Sequence, residues 1–162
     1  MMIFVIVRTV IWAALFIGVV LWIIPALILA RAGIRGPASF GVWQVLGLLI
    51  GLAGLGLALT CITAFAFLGR GTPAPFDPPR RLVVRGPYRV VRNPMYVGAC
   101  VFLVGFAVFY RSAGSALYAV AFFAVMHGFV VLYEEPTLHR AFGHDYDEYR
   151  RRVGRWWPTS GH

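Results

Sequence analysis

The chain has 162 residues, 60% of them hydrophobic and 13% charged, with a mean hydropathy of +0.77 and a formal net charge of +9. That balance excludes an ordinary soluble domain, in which about a quarter of residues are charged, and points to an integral membrane protein. The basic residues flank apolar stretches instead of lining a polar face, so the charge marks orientation and contact with anionic lipid, and nucleic-acid binding is excluded.

In chain order, Thr9 to Ala30, Gly36 to Gly69, Asn93 to Tyr110 and Ser112 to Tyr133 contain no Asp, Glu, Lys or Arg. At about 1.5 Å per residue the first and fourth reach about 33 Å and the third about 27 Å, against a hydrocarbon core of about 30 Å. The fold expected is all-α, a polytopic membrane protein of about four transmembrane helices with a cytoplasmic interfacial C-terminal helical segment. Its spans would be 9–30, 40–68, 94–110 and 112–133, within one integral membrane domain over residues 1–162.

Ala30-Arg31-Ala32 resembles a signal-peptide cleavage site, but the 22 uncharged residues before it exceed the roughly 7 to 15 of a signal core, so the stretch is read as a span. In the second span Gly47 and Gly51 stand in a GxxxG relation, with Gly54 and Gly56 behind them. No strand precedes these glycines, so the pattern indicates close helix packing and not a phosphate loop.

Gly69 to Pro79, "GRGTPAPFDPP", forbids regular helix and forms the long connection. Arg80 to Val84 is expected to be a short extended or interfacial segment, and Gly86-Pro87 a turn. Asn93 reads as the N-cap of the third span and Pro94 as its first helical residue. A helix start presents unpaired N–H groups and a positive dipole end, and Arg85, Arg89 and Arg92 add full charges nearby. This is a candidate anion pocket at the membrane surface; charge alone is equally met by arginines that only anchor the helix and touch lipid phosphates.

Arg111 alone separates the third and fourth spans, which predicts a tight hairpin. Beyond the fourth, Glu134 and Glu135 are adjacent acids where an apolar helix leaves the membrane, and Pro136 predicts a bend or restart. Leu138, Phe142, Tyr146, Tyr149, Val153 and Trp156 recur at the spacing of an amphipathic helical face. Gly143 interrupts it, and Asp145 with Glu148 reads as a capping box. Arg150, Arg151, Arg152 and Arg155 with Trp156 and Trp157 suit a helix lying in the headgroup layer.

All fifteen basic residues are arginine: Arg8, Arg70 to Arg92 and Arg140 to Arg155 hold twelve, and Arg31, Arg35 and Arg111 hold three. With four spans those sets fall on opposite sides, and the positive-inside rule puts both termini, the central loop and the pocket in the cytoplasm.

Cys61 and Cys100 lie inside spans without a CxxC relation, so neither a disulfide framework nor a zinc site follows. His139 and His144 are wrongly spaced for two ligands on one helical face, and no metal is expected. His127, inside the fourth span, reads as a neutral imidazole bonded to a neighbouring helix. The residues by themselves lead to an interfacial pocket with cationic and anionic walls.

"GPYRVVRNPMYVG" followed by "EEPTLHRAFGHDYDEYRRRV" resembles the isoprenylcysteine carboxyl methyltransferase family and the related phospholipid methyltransferases. Gly86, Tyr88, Arg92, Pro94, Tyr96, Gly98, Glu134, Glu135, Leu138, Phe142, Gly143, Tyr146, Tyr149, Arg152 and Val153 fit the family pattern, over Arg85 to Pro158. Asn93 stands where His is usual, and Gly154 where Pro is usual.

The resemblance implies a methyltransferase that takes S-adenosyl-L-methionine from the cytoplasm and a lipid or lipidated, isoprenylcysteine carboxylate-like acceptor from the bilayer. Cofactor-binding elements would be 85–98 and 134–158, with Tyr88, Arg92, Asn93, Pro94, Tyr96, Gly98, Glu134, Glu135, Tyr146 and Tyr149 as the binding residues. Glu134 or Glu135 would offset the cofactor's positive charges, and Arg92 with the helix start would meet its carboxylate. Arg152 or Arg89 would hold an anionic acceptor, and Glu148 would assist an amine in losing a proton. The alternatives are a phospholipid amine N-methyltransferase, an NADPH-dependent membrane reductase of related architecture and a non-enzymatic membrane assembly protein.

Overall fold

The computed structural model describes residues 11, 14–37, 39–64 and 82–159, and among these every regular element is helical. The long connection at Gly69 to Pro79, together with Arg8, Arg80, Arg81 and His162, lies outside the described residues. A π-helical segment, Phe16–Ile23, runs into α1 (Ile24–Arg31). α2 is Val42–Ala64, α3 is Pro94–Tyr110 and α4 is Ala113–Phe129. A second π segment, Val130–Glu134, joins α4 to α5 (Glu135–Phe142), and α6 (His144–Arg152) follows Gly143. Val42–Ala64 and the continuous Ala113–Phe142 are long and apolar enough to cross a membrane, while Ile17–Arg31 and Pro94–Tyr110 are shorter apolar helices.

Both π segments end just before a proline. Pro25 and Pro136 lack an N–H, and a proline ring crowds the carbonyl four residues back. Ile24 and Glu135, the residues before them, each donate their N–H five residues back, to Val19 and Val130. The wider turn absorbs the proline where a regular helix would break. The bend or restart expected at Pro136 is therefore a π turn, and the fourth helix continues past its expected end at 133 to Phe142.

α2 and α3 pack antiparallel on glycine. A Cβ added to Gly47 would lie 2.5 Å from the Phe109 nitrogen, and one on Gly98 would lie 2.7 Å from the Gly54 carbonyl oxygen. Gly51 and Gly105 likewise bring their backbones together, whereas Gly56 has open space around it. Gln44 is buried in the same seam, with Nε2 donating to Phe109 O at 3.0 Å.

The large side chains point the other way: Trp43, Leu48, Leu49 and Leu52 on α2, and Leu117, Val120 and Val125 on α4, are all more than half exposed. Small and polar groups inside with bulky hydrocarbon outside is the distribution that apolar surroundings favour.

Leu21, Ala99, Leu103, Ala119 and Phe122 form a further core that ties the first helix to the α3–α4 hairpin. The hairpin closes as tightly as expected. Arg111 sits in the left-handed region at φ 50°, and Ser112 Oγ accepts from Ser115 N at 3.2 Å to cap α4.

Candidate active site

The chain enters the site through Arg85, in extended backbone, and Gly86, at φ +57°, reverses it into a single 3-10 turn that buries Tyr88. Arg92 N then donates to Gly154 O at 2.8 Å, and Val91 pairs with Gly154 in a parallel bridge. Two motifs separated by the whole helical hairpin are thus joined backbone to backbone. Asn93 occupies the N-cap position of α3, but its side chain makes no capping bond. Nδ2 instead donates to Arg155 O at 3.2 Å. The capping expected of Asn93 gives way to this cross-link to the tail.

The tail also departs from expectation. α6 starts from Gly143, whose φ of +51° turns the chain and whose carbonyl accepts from Tyr146 N and Asp147 N. Asp145 lies inside the first turn and caps nothing, so the capping box with Glu148 does not form. Leu138, Phe142, Tyr146, Tyr149 and Val153 share one packed face with Leu82, as their spacing predicted. The helix ends at Arg152, and Val153 is extended. Arg155 and Trp156 therefore leave the helix on which they were expected: Arg155 turns inward, and Trp156 lies against the exposed Phe123 and His127 of α4.

These turns converge on Glu135. Arg155 donates through Nε and Nη2 to Oε1 and Oε2 at 2.7 and 2.9 Å, a two-pronged carboxylate contact. Arg92 Nη1 lies 2.9 Å from the same Oε1, and the Arg92 and Glu135 side chains are 10% and 9% exposed. Arg92 Nη1 also donates to Tyr146 Oη at 3.3 Å. Its Nε is buried with no hydrogen-bond partner among the described residues.

Two guanidinium groups facing one carboxylate leave one positive charge over. An excess cation and a buried donor without an acceptor are both features that an anionic ligand group would satisfy.

Next to this cluster, Tyr96 Oη donates to Glu134 Oε2 at 3.2 Å. Tyr149 Oη donates to Tyr88 O at 2.7 Å, which pins α6 to the 3-10 turn. Burial pushes the phenols of Tyr88, Tyr146 and Tyr149 above the ordinary tyrosine range, so all three stay protonated and neutral. The hydrogen bond to Glu135 raises Arg155 further above the usual arginine value.

The structure thus brings together Tyr88, Arg92, Asn93, Tyr96, Glu134, Glu135, Tyr146 and Tyr149. Pro94 is buried as the first residue of α3, and Gly98 belongs to the α2–α3 seam. The three residues expected to act on the acceptor stand apart from the cluster. Arg89 is exposed, and Glu148 and Arg152 pair with each other on the outer face of α6, where Arg152 is 74% exposed.

Sequence reasoning missed Arg155 as the main partner of Glu135. The available signal was Gly154, a helix-ending residue directly before it. It also assigned His127 to a neighbouring helix, whereas Trp156 Nε1 of the tail donates to its Nδ1 at 3.0 Å. Indole can only donate, so Nδ1 is the acceptor nitrogen.

A bundle of apolar helices that carries a buried arginine–carboxylate cluster, built from two distant motifs, defines a helical protein of membrane type with a charged internal site. The chain belongs to the phospholipid methyltransferase family, whose profile matches residues 42–145. The match begins upstream of the C-terminal motifs, at α2, and ends before Tyr146, Tyr149 and Arg155.

Over 77 residues the chain is 35% identical to the nickel-cobalt-cadmium resistance protein NccN of Alcaligenes xylosoxydans xylosoxydans, covering 48% of this chain and 36% of that one. Over 81 residues it is 33% identical to a probable protein-S-isoprenylcysteine O-methyltransferase of Oryza sativa, with the same values in the indica and japonica subspecies. That alignment covers 48% of this chain and 41% of the rice protein. The similarity therefore spans less than half the length of these relatives. No solved structure matches the chain.

Proposed function

We propose that the chain is an S-adenosylmethionine-dependent methyltransferase acting on a membrane-embedded or lipidated acceptor of the isoprenylcysteine carboxylate kind. In this reading four helices cross the bilayer, and the site and both termini face the cytoplasm. The observation that carries it is the Arg92–Glu135–Arg155 cluster, with its surplus positive charge and the orphaned Arg92 Nε. Family membership supplies the reaction class.

The residues fit the cofactor. Arg92 and Arg155 would hold its carboxylate, and Glu134, oriented by the Tyr96 hydroxyl, would offset its positive charge. When bound, S-adenosylmethionine supplies a methyl group on a sulfonium, ready for an in-line nucleophile. The chain's own residues contribute position, charge and shelter from water. Arg89 and Arg152, exposed near the membrane surface in this reading, remain the proposed holders of the acceptor anion.

An anionic oxygen acceptor needs no base. An amine acceptor does, and Glu148, the proposed base, would have to exchange its pairing with Arg152 for the amine.

Calorimetric titration of S-adenosylhomocysteine into the purified protein in mild detergent, with NADPH alongside, tests the reading. The expected result is saturable binding of the first only, lost in Glu135→Ala while the helical circular-dichroism signal is retained. Folded protein that takes up NADPH instead would indicate the reductase, and binding of neither would indicate an assembly role. Either outcome overturns the proposal.

A further inference from the structure

The hairpin of α3 and α4 carries an apolar groove of about 760 Å³ that the polar cluster does not use. It runs from Val97, beside Trp156 and Trp157, past Val104 and Val120 to Arg111. Val97 and Arg111 are separated by about 21 Å of helix. The concavity comes from alanine, with Ala107, Ala113, Ala116 and Ala119 in its walls. A long cleft of that kind suits one hydrocarbon chain better than a folded partner, whose interface needs breadth.

The two ends of the groove differ in what they offer a polar head. Arg111 is the one charged residue in the lining, it is exposed, and it has neither an ion pair nor a side-chain hydrogen bond among the described residues. At the other end the Trp156 indole N–H is already taken by His127. Among the described residues no carboxylate lines the groove, and the indole faces that could meet an ammonium group, those of Trp156 and Trp157, stand at the end away from Arg111. A guanidinium with free donors is matched to phosphate oxygens, and an arginine stem can lie along hydrocarbon while its head reaches the interface.

We infer that the groove seats one acyl chain of an anionic phospholipid, its phosphate at Arg111 and its chain running between α3 and α4 toward Trp156. This needs the membrane setting but is independent of the cofactor chemistry.

Native mass spectrometry of delipidated protein, with dioleoylphosphatidylglycerol or dioleoylphosphatidylcholine added back, provides the test. The wild type should retain one phosphatidylglycerol with about a fivefold preference over phosphatidylcholine, the factor that one interfacial arginine carries. Arg111→Gln should bring the ratio to about one, while Arg140→Gln, a control at an exposed arginine of α5, should leave it unchanged. Ala116→Trp should abolish retention of both lipids by filling the groove. Val120→Trp, at a second outward-facing position, keeps the test decisive if the first variant does not fold.

Equal retention of both lipids overturns the inference, as does retention indifferent to Arg111→Gln or to both tryptophans. A lipid dependent on Ala116 but not on Arg111 would have its head at the Trp156 end, as a methyl acceptor would, and would also overturn it.

Discussion

The α2–α3 seam and the Glu135 cluster hold helices together by opposite means. Along the seam the backbones themselves touch, because Gly47, Gly54, Gly98 and Gly105 carry no side chain to separate them. Around Glu135, long side chains from three stretches of chain bridge the gap with charge. The difference reflects the surroundings. Among lipid-like neighbours, burying hydrocarbon gives little reason for helices to associate, so close packing and polar contacts must do it. The seam tolerates no added atoms, whereas the cluster tolerates no missing partner.

The sharpest way to break the seam is Gly105→Leu. Its side chain would meet the Gly51 backbone, which cannot move aside as a side chain could. At about 3 kcal/mol or more of overpacking, the expected outcome is aggregated protein on size exclusion. Gly56→Leu, on the same helix as Gly51 but in open space, should stay within about 0.5 kcal/mol of wild type.

The corresponding break in the cluster is Glu135→Ala, which leaves two guanidinium groups facing each other. A loss of about 3 to 5 kcal/mol is expected for the uncompensated charge, read as a lower midpoint in thermal unfolding.

Tyr149→Phe is a milder probe. It removes the buried hydrogen bond to the Tyr88 carbonyl and should cost about 1 kcal/mol. It also reports on pH. Burial raises the folded-state pKa of Tyr88, Tyr146 and Tyr149, so the native state keeps protons that the unfolded chain releases above about pH 10. Stability is therefore fully present below that pH and falls above it. Tyr149→Phe should make the fall shallower in denaturant melts taken from pH 9 to 11.

The smallest effect belongs to Arg152→Ala. Its partner Glu148 is an exposed neighbour one helical turn away, and such pairs contribute no more than about 0.5 kcal/mol. A loss of acceptor turnover without a change in melting would support the role proposed for Arg152.

The legible features were those in which the cause is local. Absence of charge marks an apolar helix wherever it folds, and Asn93-Pro94 starts a helix by its own geometry, so α3 runs over the expected 94–110. The glycine seam was legible as a pattern, although Gly56 fell outside it because membership depends on which side α3 approaches. The face from Leu138 to Val153 followed from helical spacing. The partner of Glu135 did not, because Arg155 reaches it only once the chain has turned at Val153 and Gly154 has paired with Val91. Any of the nearby arginines carries the same charge, and composition cannot choose between them.

From the amino-acid order follow the apolar helices, their tight hairpin, and the motifs that place the chain in its family, since each rests on residues close together along the chain. Tertiary structure alone decided that Asn93 ties down the tail instead of capping α3, that Arg92 and Arg155 share one carboxylate, and that Trp156 closes onto His127. Those contacts join residues 20 to 62 positions apart. Their geometry is set by backbone turns whose angles a sequence pattern constrains only loosely, and a buried charge takes whichever partner those turns deliver.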